Sequence, residues 1–214
     1  MPPARTVSDA DIFDAALAVF AEEGFEGMSV RHLCRDLGVS HNLIHERCGS
    51  KEELWRLSIA HGFQSLAVTL ATSAIDSPAD PLARLRAILV RYVQATAERP
   101  SLIRIINYEA MHPGPRLDHL FTTYLHPAHQ VADAALRLLE AQGRAHRIPA
   151  ATLHFMIGHG AGGLASLPEL AGRFDAGDPD PVAQAIDAVD LVLRGILRDP
   201  DEILAASAAA SVPA

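Results

Sequence analysis

A chain of 214 residues with a net charge of −8, a mean hydropathy of +0.13 and 49% hydrophobic residues is large enough for one small helical part and one larger one. No stretch reaches the ~20 consecutive apolar residues of a membrane span, and the N-terminal MPPARTVSDAD has no hydrophobic signal core, so the expected location is the cytoplasm, with no membrane partner. Two cysteines, Cys34 and Cys48, are too few for a disulfide framework and read as reduced, part-buried side chains.

In chain order, Ser8 precedes DADIFDAALAVFAEEGF, where Ile12, Ala15, Ala16, Val19 and Phe20 recur at helical spacing and Gly24 closes the run. Ser29 opens a second helix of about two turns, with Val30, Leu33, Cys34 and Leu37 apolar and Gly38 placed for a left-handed end. Ser40 caps a third helix after the sharp link Gly38-Val39-Ser40. Two short helices joined this tightly form the helix-turn-helix geometry that reads DNA. Ser50 and Glu53 form a capping box that starts a further helix at Lys51. Beyond Trp55, turn signals at Asp76-Ser77-Pro78, Arg99-Pro100, His112-Pro113-Gly114-Pro115, Gln142-Gly143 to Ile148-Pro149, and Asp175 to Pro181 divide a helical pattern. Six helices fit between Lys51 and Arg198, and no alternating strand pattern occurs. The fold class is therefore all-α, with about nine helices.

The run from Ile12 to Trp55 resembles the DNA-binding domain of the TetR (tetracycline-repressor-like) transcriptional regulators. The match is carried in register by Ala15, Ala16, Phe20, Gly24, Phe25, Ser29, Val30, Leu33, Gly38, Val39, Ser40, Gly49, Ser50, Lys51, Glu52 and Leu54. The resemblance implies a helix-turn-helix head over residues 1–55 and an effector-binding, dimerising body over 56–214. RPSLIRIINYEA, LEAQGR and LHFMIGHGAGGLASL are similar to segments of that body. The chain departs from the family's pattern at His45, where members usually carry tyrosine, at Arg47, where they carry tyrosine or histidine, and at Cys48, where they carry phenylalanine. A thiol in place of a ring requires a neighbour, Trp55 or Phe25, to fill the space.

The reading helix spans Ser40 to Arg47. His41 and Asn42 stand near its start, where asparagine can pair with adenine and histidine can donate to guanine. Leu43 touches a thymine methyl or packs, and Ile44 anchors the helix inside. Ser29, Arg31, His45, Arg47 and Lys51 are the phosphate candidates, and Arg5 on a short arm is a minor-groove candidate. Charge sets a condition on this reading. Residues 1–55 hold five basic side chains against ten acidic ones, which makes five of the chain's eight net negative charges. DNA contact therefore depends on local placement rather than on a basic patch. Lys51, the only lysine, stands at a helix start that already favours an anion.

In the body, Phe63, Tyr92, Asn107, Tyr108 and Met111, with Phe121, Tyr124, His129 and Phe155, offer the mix of apolar walls and polar tips that a small-molecule pocket uses. The dimer interface is expected on residues 150–170 and 181–198, through Phe155, Ile157 and Leu164 and the stripe Val182, Ile186, Val189, Leu193 and Ile196. The resemblance implies a repressor that an effector releases from a palindromic operator by shifting the fourth helix and the spacing of the two heads. The expected partners are a double-stranded DNA operator, a small-molecule effector and a second copy of the chain. No cofactor and no metal are expected. Two alternatives are a metal-sensing regulator built on the body histidines, such as His126 and His129, and a relative that has lost specific DNA binding. No nucleophile elbow, nucleotide fingerprint or zinc spacing points to an enzyme.

Overall fold

The computed structural model describes residues 7–75, 80–174 and 180–204, with residues 65–75 described by their backbone alone. Among the described residues every regular element is a helix, apart from one isolated antiparallel bridge between Ala145 and Leu197. They form two compact units, each with its own core. One comprises residues up to 67 together with 99–118, and the other 68–98 with everything from 119 onward. Residues 56–67 and 99–118 thus pack with the head, beyond the expected boundary at 55.

The head unit begins with α1 (Asp9–Gly27), opened by a capping box in which Asp11 N–H donates to Ser8 Oγ at 3.1 Å and Ser8 N–H donates to Asp11 Oδ2 at 2.9 Å. Gly24 kinks α1 rather than ending it, at φ 70° and ψ 175°. A Cβ there would come within 2.5 Å of the Tyr108 ring, so the kink and that tyrosine fit only with glycine in place. α2 (Val30–Leu37) ends at Gly38 in the left-handed conformation, φ 67°. Ser29 precedes it without a side-chain capping bond, contrary to the expected cap. α3 (His41–Cys48) and α4 (Lys51–Ile75) follow, and α6 (Pro100–Met111) returns to pack on α1. Ile12, Ala16, Phe20, Leu33, Ile44, Leu54, Trp55 and Ile105 are buried in this unit.

The second unit is built on α5 (Pro81–Glu98), which packs against α8 (His126–Ala141) and α12 (Pro181–Ile196). Between α8 and α12 in sequence lie α9 (Ala150–Phe155), a π-helical turn (Met156–Ala161), α10 (Gly162–Ser166) and α11 (Pro168–Ala171). Another π-helical turn (Phe121–Leu125) runs into α8 from α7 (Pro115–Leu120). The core joins Leu85, Leu89 and Val93 of α5 to Ala132, Leu136 and Leu139 of α8, and to Val189, Leu193 and Ile196 of α12. Ion pairs fasten its rim. Arg86 grips Asp190 through two bonds of 2.7 and 2.9 Å, and Arg144 holds Asp80 at 2.6 Å and Glu202 at 2.7 Å.

Candidate functional site

Local chemistry within a few residues builds the reading helix. Ser40 Oγ accepts the Leu43 amide at 3.2 Å, which fixes the start of α3. Ile44, 2% exposed, anchors the helix in the core, and Leu43 is half-buried beside it. His41 and Asn42 stand exposed at the capped end, as a base-reading pair must. A cleft of about 270 Å³ between α2, α3 and the start of α4 brings His41, His45 and Lys51 together, with Val30, Ile44 and Leu54 as its apolar floor. The start of α4 carries the expected capping box, in which Ser50 N–H donates to Glu53 Oε2 at 2.8 Å and Glu53 N–H donates to Ser50 Oγ at 3.2 Å. These bonds hold the Glu53 carboxyl below its ordinary range. His45 is exposed, with its Nδ1 at 3.1 Å from the Gly49 carbonyl. Arg31 is exposed and Ser29 half-buried.

Two of the phosphate candidates have work inside the head. Arg47 donates to the Val7 carbonyl at 2.7 Å and pairs with Asp9 at 3.2 Å, tying the end of the reading helix to the chain entering α1. Lys51 donates to the Glu26 carbonyl at 3.3 Å, with its ammonium 4.7 Å above the Phe25 ring. Phe25 stacks on Phe20 at 5.9 Å and lies under both Lys51 and Arg116. Trp55, the other expected filler, is buried at 1% exposure. Sequence reading missed Arg116, which pairs at 2.9 Å with Glu109, a carboxylate only 2% exposed, and lies 3.7 Å from Glu26 and 3.9 Å from Glu52. The one signal for it was an acid inside the apolar run RPSLIRIINYEA. Burial pushes both cysteine thiols up, opposed at Cys34 by a backbone hydrogen bond, and at Cys48 reinforced by Asp9 and opposed by Arg47. Arg5 lies outside the described residues.

Of the nine residues expected to line one pocket, four lie in the head unit and five in the other. Phe63, Asn107, Tyr108 and Met111 belong to the head unit, where Phe63 is buried, Met111 is 72% exposed, and Tyr108 covers Gly24 and stacks on His112. In the other unit Phe121 and Phe155 face outward, at 53% and 59% exposed, while Tyr92, Tyr124 and His129 are part-buried. The interface stripe is also redistributed. Ile157, Val189, Leu193 and Ile196 point into the chain's own core, and Leu164, Val182 and Ile186 are half-buried. Helical spacing marks an apolar stripe without saying which partner covers it. The exposed large apolar side chains on these segments are Phe155, which was expected, together with Met156, Leu167, Leu170 and Leu191, the last at 70%. Among the described residues no three metal-ligating side chains gather, and no helix is long and apolar enough to cross a membrane.

Residues 12–66 match the family model for bacterial regulatory proteins of the tetR family. The chain is 29% identical over 174 residues to the HTH-type transcriptional repressor SCO4008 of Streptomyces coelicolor, covering 78% of this chain and 85% of the relative. Solved structures share the fold. The ketosteroid transcriptional regulator KstR2 of Mycobacterium tuberculosis has a TM-score of 0.66 at 18% identity, covering 92% of this chain and 99% of its own. The transcriptional regulator FadR from Bacillus subtilis, in complex with stearoyl-CoA, has a TM-score of 0.60 at 18% identity, covering 86% and 97%. The serine-capped α3, its tight turn and this match in register make residues 12–66 a helix-turn-helix head similar to that of the bacterial regulatory proteins of the tetR family.

Proposed function

We propose that this regulator is a repressor that binds an inverted-repeat operator as a homodimer and leaves it when a small molecule occupies the body. The observation that carries the reading is the pair His41 and Asn42, exposed at the serine-capped start of a helix whose other side is locked into the core by Ile44. Asn42 reads adenine through its amide and His41 donates to a base edge, while Leu43 lies close enough to the surface to meet a thymine methyl. Ser29, Arg31, His45 and Lys51 contact phosphates. Lys51 does so while keeping its bond to Glu26, because an ammonium has three donors. Arg47 acts through position, by holding the chain before α1 against the reading helix.

Repression is supported by the name of the Streptomyces relative, and a small-molecule effector by the acyl-CoA held by the Bacillus protein of the same fold. The second copy docks on the exposed apolar side chains Phe155, Met156 and Leu191, so each dimer presents two heads to two half-sites. The test is selection of genomic fragments by the purified protein near physiological salt, followed by a salt titration on the best sequence. An inverted repeat whose binding weakens steeply with salt is the expected result. A folded, dimeric protein that enriches no sequence would overturn the reading and favour a head that has lost specific recognition.

A further inference from the structure

We propose that Tyr92, His129 and His154 form the polar end of the effector site and take a neutral, largely apolar molecule through a carbonyl or hydroxyl oxygen. The proposal rests on the effector-responsive reading and gives it a chemistry. His129, on α8, keeps its Nε2 buried with no hydrogen-bond partner among the described residues. Its ring meets that of His154 on α9 edge to face, with centroids 6.0 Å apart. One turn beyond His154 lies Gly158, inside the π-helical turn, and a Cβ there would come within 3.3 Å of the Tyr92 hydroxyl. The backbone of that turn thus approaches the phenol from α5 where a side chain would crowd it. Thr96, near Gly162, returns its hydroxyl to the Val93 carbonyl at 2.7 Å.

Buried polar atoms are normally partnered, and π-helical turns recur at functional sites. An imidazole and a phenol each both donate and accept, which suits a single oxygen. Burial, and the neighbouring His129 and His159, disfavour a charged His154, and burial likewise disfavours ionising Tyr92. Val93, Leu153 and Ile157 supply the buried apolar surroundings.

The test uses the full chain with ¹⁵N-labelled histidine and four small probes: phenol, acetone, acetate and methylammonium. Phenol and acetone are expected to shift the His129 and His154 ring signals saturably, and the two ions to leave them in place. His129→Leu should weaken phenol binding about fivefold to tenfold, the loss of one hydrogen bond, while His129→Gln restores most of it through its amide. Acetate acting as strongly as phenol, no probe acting at all, or His129→Leu binding phenol like the wild type would each overturn the site. A parallel screen for compounds that release the operator separates the two readings. Release lost in His129→Leu supports the site, and release equal in both proteins sinks it while the effector reading stands. Ring signals that respond to phenol although no compound releases operator keep the site and sink the effector reading.

Discussion

In the head, Arg47, Lys51 and Arg116 run between helix ends. Arg47 reaches the Val7 carbonyl, Lys51 the Glu26 carbonyl, and Arg116 the buried Glu109. In the other unit the matching ties, Arg86 to Asp190 and Arg144 to Asp80 and Glu202, lie at the rim of a continuous apolar core that spans α5, α8 and α12. A tie between helix ends sets where a helix points, and its loss re-aims the helix. A rim pair over a well-filled core adds little, because the burial beneath it already fixes the packing. The head is thus tuned by polar substitutions and the body by apolar ones.

The sharpest way to break this contrast is to charge the body's core. Val189→Asp, at a site with 0% exposure, should cost about 4 kcal/mol or more and abolish cooperative urea unfolding. Leu191→Asp, two residues on and 70% exposed, should keep that transition and yield monomers in analytical ultracentrifugation. A dimeric Leu191→Asp protein would move the interface elsewhere. Next in size is Arg116→Ala, which strands Glu109 at 2% exposure and should cost about 2 to 3 kcal/mol in urea. The exposed pair Arg137 and Asp133 provides the control, since Arg137→Ala should cost under ~0.5 kcal/mol, and equal losses would erase the contrast. On DNA, Asn42→Ala should lose about 1 to 3 kcal/mol of discrimination at one base per half-site, whereas Lys51→Ala should weaken all sequences alike and reduce the salt slope by about 1. Competition binding on single-base operator variants separates the two.

The smallest effect is one of pH. Burial resists ionisation of Asp80, but the Arg144 hydrogen bond and the Ala83 and Leu82 amides outweigh it and hold its carboxyl below the ordinary value. A depressed carboxyl stabilises the fold above its unfolded pKa of about 3.9 and loses that contribution as pH falls through the lower folded value. Asp80→Asn should therefore cost under ~1 kcal/mol at pH 7, since the side chain is 43% exposed, and nothing at the acid end of a urea series.

Features decided within about four residues were legible from sequence: the Ser40 cap, the left-handed Gly38, and the Ser50 and Glu53 box. Ties that close over 40 residues, such as Arg47 to Val7, leave no local pattern. The same holds for the partnership of Arg116 with Glu109, where two charges read separately as ordinary surface residues. The stripe through Val189 and Leu193 was correctly apolar but could not say whether its own core or a second copy covers it. Both π-helical turns read as plain helix, because one extra residue in a turn barely alters a periodic pattern.

Lys51 gives the molecule a natural reporter. As the chain's sole lysine it offers an acylating reagent one side-chain amine, held against the Glu26 carbonyl beside the cleft of the reading helix. If Lys51 meets phosphate as proposed, its rate of modification, read on the peptide that carries it and so apart from the α-amino group, should fall when nucleic acid occupies the head, without a tag, a dye or an introduced cysteine.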